Sequence, residues 1–335
     1  MEIHRNPKKP TNQPDDIRDP HARTVKGDIL DAIGDTPLVY LPQLSPNPSV
    51  NIYAKLEGHN PTGSVKDRIA KHMIVRAEAD GVLTPNKTVL EPTSGNTGIS
   101  LAMVCKVKGY RLKVVMPENV SPERSQLLEA YGAEILFSDG AGGSNHAIVV
   151  ARDLFASDPD KYYMPYQYGN ESNLLAHYET TGMEIIEALP QVDTFVAGLG
   201  TGGTLMGVGR RLKEHNPNTQ VIAVVPSPDD AIQGLRSLDD GFIPPILDTA
   251  LLDSRIMIEG KEAFATTRYL LEKEGIFAGI SSGSVIAGAL RIADRMEHAN
   301  IVCLLADGGW KYLSTKLWTT DYGVMENQIK GKIWW

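Results

Sequence analysis

Between residues 111 and 307 the chain repeats one alternation, a short apolar run followed by a longer segment with helical boundaries. RLKVVM (111–116) reads as a buried strand. SPERSQLLEAYG (121–132) comes next, with Ser121 at an N-cap position, Pro122 at the first helical position and Gly132 just past the end. AEILF (133–137), TFVAGLG (194–200), QVIAVVP (220–226) and NIVCLLAD (300–307) are further strand candidates. LMGVGRRLKEHN (205–216) and KEAFATTRYLLEKEG (261–275) are further helices. Strands that are apolar throughout, alternating with helices, predict parallel sheets covered on both faces. The expected fold class is α/β with an open α/β/α architecture, and 335 residues leave room for two such units.

Composition narrows the function classes. With 42% hydrophobic and 22% charged residues the chain has ample material for a core. A net charge of −8 argues against a binder of nucleic-acid backbone. The two cysteines, Cys105 and Cys303, sit in the apolar runs AMVCKV and IVCLLA and read as buried thiols. No disulfide framework is expected, which suits a reducing compartment. No signal peptide is read at the start, and no apolar run is long enough to span a membrane, so a cytoplasmic protein is expected. Residues 1–27, rich in Pro, Asn and charge, read as a flexible extension. His4 and His21 lie there without cysteines, so no metal site is expected.

Ligands of open α/β sheets sit beyond the carboxyl ends of the strands, and four loops draw attention. In KLEGHNPTGSVKDR (55–68), Lys66 comes after a Pro-Thr-Gly-Ser turn and opens a helix. The positive end of the helix, together with burial, lowers the pKa of such an amine toward the neutral, nucleophilic form. The alternative is an exposed surface lysine. EPTSGNTGIS (91–100) packs Thr93, Ser94, Asn96 and Thr97 around two glycines at a helix start. That makes a cup for a carboxylate or phosphate, with more polar side chains than an N-cap requires. AGLGTGGTLMG (197–207) contains G-x-G-x-x-G, but the next strand ends in VVPSP without the acidic residue that holds a ribose. A Gly/Thr cup for a single phosphate fits better. FAGISSGSVIAGAL (277–290) sets Ser281 and Ser282 between glycines at another helix start, where capping is the plain alternative.

An amine nucleophile, a monophosphate cup, a carboxylate cup and a buried hydroxyl together suit a phosphorylated aldehyde cofactor. Pyridoxal phosphate is the natural candidate. A serine beside its ring nitrogen cannot protonate that nitrogen as a carboxylate would. The residue types therefore favour β-elimination or β-replacement over transamination.

GDTPLV (34–39), NPTGSVKDR (60–68), EPTSGNTGIS (91–100), YQYGN (166–170), GLGTGGT (198–204) and GISSGS (279–284) stand in an order and spacing that resembles the cysteine synthase and cystathionine β-synthase family of fold-type II pyridoxal phosphate enzymes. The resemblance spans roughly residues 28–320. It implies that Lys66 carries the cofactor as a Schiff base and later moves the substrate's α-proton. It also implies that Asn96 bonds the ring hydroxyl, that Gly200, Thr201, Gly202, Gly203 and Thr204 hold the phosphate, and that Ser281 rather than Ser282 faces the ring nitrogen. Thr93, Ser94, Thr97 and Gln167 would hold the substrate carboxylate. The implied units are a smaller domain (54–165), a larger one (28–53 plus 166–320) and a C-terminal tail (321–335).

PENVSPERSQLLEAYGAEI, LRSLDDGFIP (235–244), DGGWKYLS (307–314) and the tail GKIWW (331–335) resemble one branch of the family, the M-type synthases that use O-phosphoserine. There Arg236 matches an arginine for the substrate phosphate, a sensible choice because guanidinium binds phosphate in a bidentate manner. The resemblance implies a homodimer and a small sulfur-carrier protein as a possible partner. An O-acetylserine sulfhydrylase and a cystathionine β-synthase are the rival activities. Trp334 and Trp335 in the tail are expected to be buried in the cleft or at a dimer interface.

Overall fold

The computed structural model describes residues 25–323, except Ser94, Asn119, Ser121, Asp229 and Ala231. Most of the extension, the proposed N-cap of the 122–131 helix and the Trp334–Trp335 tail thus lie outside the described residues.

Strands numbered in chain order form two sheets. The larger runs β1 (Leu38–Tyr40), β2 (Val50–Leu56), β10 (Ala299–Leu305), β7 (Thr194–Gly198), β8 (Gln220–Pro226) and β9 (Ser254–Ile258). Only the edge pair β1–β2 is antiparallel in it. The smaller sheet is all parallel, in the order β5 (Glu134–Ser138), β4 (Arg111–Pro117), β3 (Thr88–Pro92) and β6 (Tyr162–Tyr163). β2 belongs to the larger sheet through Leu56, so the expected division at residue 54 falls inside a strand.

The helices are α1 (Lys66–Ala79), α2 (Asn96–Lys108), α3 (Pro122–Tyr131), α4 (Gly143–Ser157), α5 (Glu171–Ala176), α6 (Gly182–Ala188), α7 (Gly203–His215), α8 (Gly260–Glu274) and α9 (Ile280–Ala293). A π-helical turn, His177–Thr181, joins α5 to α6. The period of two expected of strands is plain in the core. Val196, Ile222, Val224, Ile301 and Cys303 face α8 and α9, while Phe195, Ala197, Val221, Ala223, Val302 and Leu304 face α7 and the α5–α6 segment. In the smaller sheet Val89, Val114 and Met116 pack with residues of α1 and α2, and Leu90 and Val115 pack against α4. Both cysteines are buried and free. Among the described residues no helix is long and apolar enough to cross a membrane.

Register places the chemistry. β2 and β10 run side by side, Leu56 opposite Leu305. The turn that leads from β2 to Lys66 therefore meets Ala306 and Asp307, the residues just past the end of β10. The Val65 N–H donates to the Ala306 carbonyl at 2.8 Å, and Ser64 bridges Asp307. Behind this turn lies a buried ionic cluster. Arg68, one helical position past Asp67, donates to Glu57 at 2.7 and 2.9 Å and to Glu184 of α6 at 2.6 and 2.7 Å. Lys55 of β2 donates to the same Glu184 at 2.6 Å. Lys55, Glu57 and Arg68 are all at most 3% exposed. Removing one member of such a group leaves an uncompensated buried charge, which costs about 3–5 kcal/mol. Arg68→Met is expected to lower the stability by that amount, read from the urea midpoint at constant slope. A loss near 1 kcal/mol would put the cluster in the class of surface pairs.

Candidate active site

The loops beyond the carboxyl ends of both sheets converge on one cleft that is open to solvent. Lys66, Thr93, Asn96, Thr97, Gln167, Gly200, Thr201, Gly202, Thr204, Arg236 and Ser281 line it. Gly203 begins α7 at its edge. Ser94 lies outside the described residues. Ser282 is fully buried behind Ser281 and does not line the cleft.

Lys66 is the first residue of α1, half-buried, in a turn tied down on every side. Asp67 accepts the Thr62 N–H at 2.7 Å, the Ser100 hydroxyl at 2.5 Å and the Thr62 hydroxyl. Gly63 has φ +79°, and a Cβ there would collide with the Trp310 indole. Burial lowers the pKa of Lys66, opposed by the negative charges of Asp307 and then Glu57. The amine is thus easier to deprotonate than a surface lysine, while an acid nearby can hold it when charged.

The Gly/Thr loop forms the N-terminus of α7, which starts at Gly203, two residues before the expected start. Gly-Gly-Thr is a poor helix-forming sequence, and this hides the boundary. The N–H groups of that first turn lack intrahelical partners and suit an anion. The loop is braced from behind. Asn173 donates to Thr201 Oγ1 at 3.0 Å and to the Gln167 carbonyl at 2.8 Å. A side chain at position 203 would collide with Asn173, so this brace demands glycine. Thr204 Oγ1 lies 3.2 Å from Nε2 of His177, whose pKa is far below the usual value through burial, then through Arg68 and Lys66. His177 is therefore neutral at pH 7.

The carboxylate loop is tied to the 166–168 segment. Thr97 donates to Gln167 Oε1 at 2.6 Å. Glu91, at the end of β3, accepts the N–H groups of Tyr166 at 2.7 Å and Gln167 at 3.0 Å. Tyr166 has φ +53°, the left-handed region, and the carboxylate receives two successive N–H groups there as an anion nest would. Arg236 is 8% exposed, its backbone N–H bonded to the Leu199 carbonyl at 2.7 Å. Its guanidinium lies against the Phe242 and Tyr168 rings at 4.7 and 5.3 Å and donates to Asn145 Oδ1 at 3.4 Å. Among the side chains the structure describes, which do not include that of Asp240, no carboxylate lies within ion-pair distance of it.

The sequence reading missed Glu91, Asn173, His177, Asp307, Lys311 and Tyr312 as parts of this site. Ser144 at the start of α4 also lines the cleft. Glu91 lies in the motif EPTSGNTGIS, Asp307, Lys311 and Tyr312 lie in DGGWKYLS, and Ser144 follows the glycines of SDGAGGSN after β5, whereas Asn173 and His177 carried no local signal.

Comparison with known proteins gives the same frame. The model of the pyridoxal-phosphate dependent enzyme family matches residues 29–307. A probable cysteine synthase of Bacillus subtilis is 43% identical over 307 residues, covering 88% of this chain and 98% of the relative. A crystal structure of cysteine synthase from Entamoeba histolytica has a TM-score of 0.85 at 34% identity, covering 95% of this chain and 99% of the other. The structure of an O-ureido-L-serine synthase has a TM-score of 0.84 at 38% identity, covering 92% of this chain and 100% of the other.

The chain belongs to the pyridoxal-phosphate dependent enzyme family, and within it to the fold-type II cysteine synthase group. Its cofactor is pyridoxal phosphate, and the residues present fit it. The cleft holds one amine of lowered pKa, a helix N-terminus rimmed by Thr201 and Thr204, and the Ser281 hydroxyl.

Glu91 makes this site sensitive to pH. Burial raises its carboxyl from an ordinary 4.5 to about 7, against the two backbone N–H bonds. A raised carboxyl favours the folded state most below its unfolded pKa, and that advantage is lost as pH climbs toward 7. Glu91→Gln removes the titration. Relative to the parent, the variant should gain stability between pH 4.5 and pH 8, by up to about 3 kcal/mol. Urea midpoints of both proteins across that range check this, and parallel curves would contradict it.

Proposed function

We propose that the enzyme is a cysteine synthase that replaces the β-substituent of an activated L-serine by sulfur, with O-phospho-L-serine as the favoured substrate. The observation that carries the substrate choice is Arg236, a nearly buried cation on the wall of the Lys66 cleft, held by two aromatic faces and one neutral amide. A buried cation whose described contacts are all neutral groups is best matched by an anionic ligand. O-phosphoserine carries that anion, and O-acetylserine does not.

Pyridoxal phosphate bound at Lys66 supplies the electron sink for chemistry at the substrate's α-carbon. The chain's own residues do the rest in this reading. Thr93, Thr97 and Gln167, with Ser94, receive the substrate carboxylate. Lys66 takes the α-proton, which its lowered pKa favours, and Asp307 steadies the resulting ammonium. Arg236 binds the leaving phosphate as the Cβ–O bond breaks. A hydrosulfide equivalent then forms the Cβ–S bond, and Lys66 returns the proton to give L-cysteine. Free sulfide would serve as donor, or a thiocarboxylate on a small carrier protein, whose acyl–sulfur bond water would then cleave to release L-cysteine, and the working enzyme would be a homodimer.

The O-ureido-L-serine synthase relative supports a second reading, in which the same frame accepts an oxygen nucleophile. O-acetylserine as substrate is the third, and it makes no use of Arg236.

Steady-state rates separate these readings. Arg236→Ala is expected to lower kcat/KM for O-phosphoserine about 100-fold, the loss typical of one buried charge-assisted contact, and to leave O-acetylserine within about threefold. Equal losses with both substrates would reject Arg236 as the selector. A purified protein with higher kcat/KM for O-acetylserine would overturn the substrate choice and leave the reaction class intact.

A further inference from the structure

Asn96 is the first residue of α2, and its side chain is held from both ends by residues beyond the end of β10. Its Nδ2 donates to Asp307 Oδ2 at 2.7 Å. Its Oδ1 accepts from Lys311 Nζ at 2.6 Å. The two partners are chemically opposite. A lysine ammonium only donates, and a carboxylate only accepts. Turning the amide over would set its oxygen against Asp307 and its nitrogen against Lys311, replacing two charge-assisted bonds by two repulsions.

The partners are themselves fixed. Asp307 is 2% exposed, and its Oδ2 also accepts the Tyr312 hydroxyl at 2.8 Å. Burial, then Asp307 itself, holds Tyr312 in the phenol form. Lys311 is 9% exposed, with its ammonium 5.0 Å from the centre of the Trp310 ring. The same Trp310 covers Gly63 in the turn before Lys66. Burial brings the Lys311 amine down to about 8, opposed by Asp307 and Asp67, so it remains a donor at neutral pH.

We propose that Lys311 and Asp307 form a bracket that locks the amide of Asn96 in one orientation, so that it presents its remaining N–H to the cleft, as a donor to the ring oxygen of the bound cofactor. The proposal rests on the assignment of Asn96 to that oxygen and adds the two positioning residues that make it a donor. Without them, an Asn in the first turn of a helix has competing partners in its own backbone, and either end of the amide could face the ligand.

The test uses the holoenzyme and two readouts other than turnover, the dissociation constant of pyridoxal phosphate and the position of its visible absorption band at pH 7. Lys311→Met is expected to weaken cofactor binding about tenfold, the value of one charged hydrogen bond, and to shift the band as Asn96→Ala does. Lys311→Arg should restore both to within about twofold of the parent. In the Asn96→Ala background, Lys311→Met should change neither. Asp307→Asn, which can pair with either end of the amide, should shift the band in the same direction and covers the case of a Lys311→Met protein that fails to fold. A band unmoved by Lys311→Met, or an equal effect with Asn96 already removed, overturns the bracket. If Asn96→Ala itself alters neither readout, the assignment of Asn96 falls, and the bracket with it.

Discussion

A primary amine at the N-terminus of a helix and largely out of water is an unfavourable arrangement, and much of the structure around Lys66 serves to hold it there. The field of α1 and the loss of hydration act in the same direction, toward the neutral amine. Asp307 and Glu57 act in the other. Burial thus lowers the Lys66 pKa while two carboxylates oppose the shift. This balance depends on position. The turn is fixed by one strand pairing, β2 with β10, whose register places the residues after Leu56 against those after Leu305. Trp310 closes over Gly63, Asp67 staples Thr62, and Arg68 anchors the next turn in the ionic cluster.

The same economy of connection runs through the rest of the cleft. Asn173 touches the back of the phosphate loop with the amide that also holds the Gln167 carbonyl. Gln167 in turn accepts from Thr97 of the carboxylate loop, and its N–H rests on Glu91. A chain of hydrogen bonds therefore joins the cup at the end of the larger sheet to the cup at the end of the smaller one.

How much of this the sequence disclosed depended on the kind of signal. The α/β alternation was plain because a buried strand is apolar throughout and helix ends carry Pro, Ser and Gly in defined places. The glycine and hydroxyl loops were equally plain, because dense small polar residues after a strand have few structural uses, and the structure brings residues from each of them to one cleft. The supporting residues were hidden. Asn96 meets Asp307 and Lys311 across 211 and 215 positions of chain, and Glu91 meets Gln167 across 76. Strand order and register create such pairs, and no local spacing encodes them. A single buried Glu or Lys also looks in sequence like any surface charge. The early start of α7 was missed for the opposite reason, since its first residues, Gly203 and Thr204, have low helix propensity.

The relatives sharpen where specificity must reside. Proteins named as a cysteine synthase and as an O-ureido-L-serine synthase share this fold at TM-scores of 0.85 and 0.84, with identities of 34% and 38%. A frame common to enzymes with different products cannot itself choose the group that leaves or the atom that attacks. That choice falls to side chains lining the cleft. In this chain Arg236, on the segment after β8, lines it, with Asn145 from the start of α4 facing it. The first comes from the larger sheet's side and the second from the smaller's. Any movement that narrows the cleft changes their separation, so a ligand bridging the two would favour the narrower state by the strength of its own contacts. Binding of such an anionic ligand and exclusion of water would then be one event.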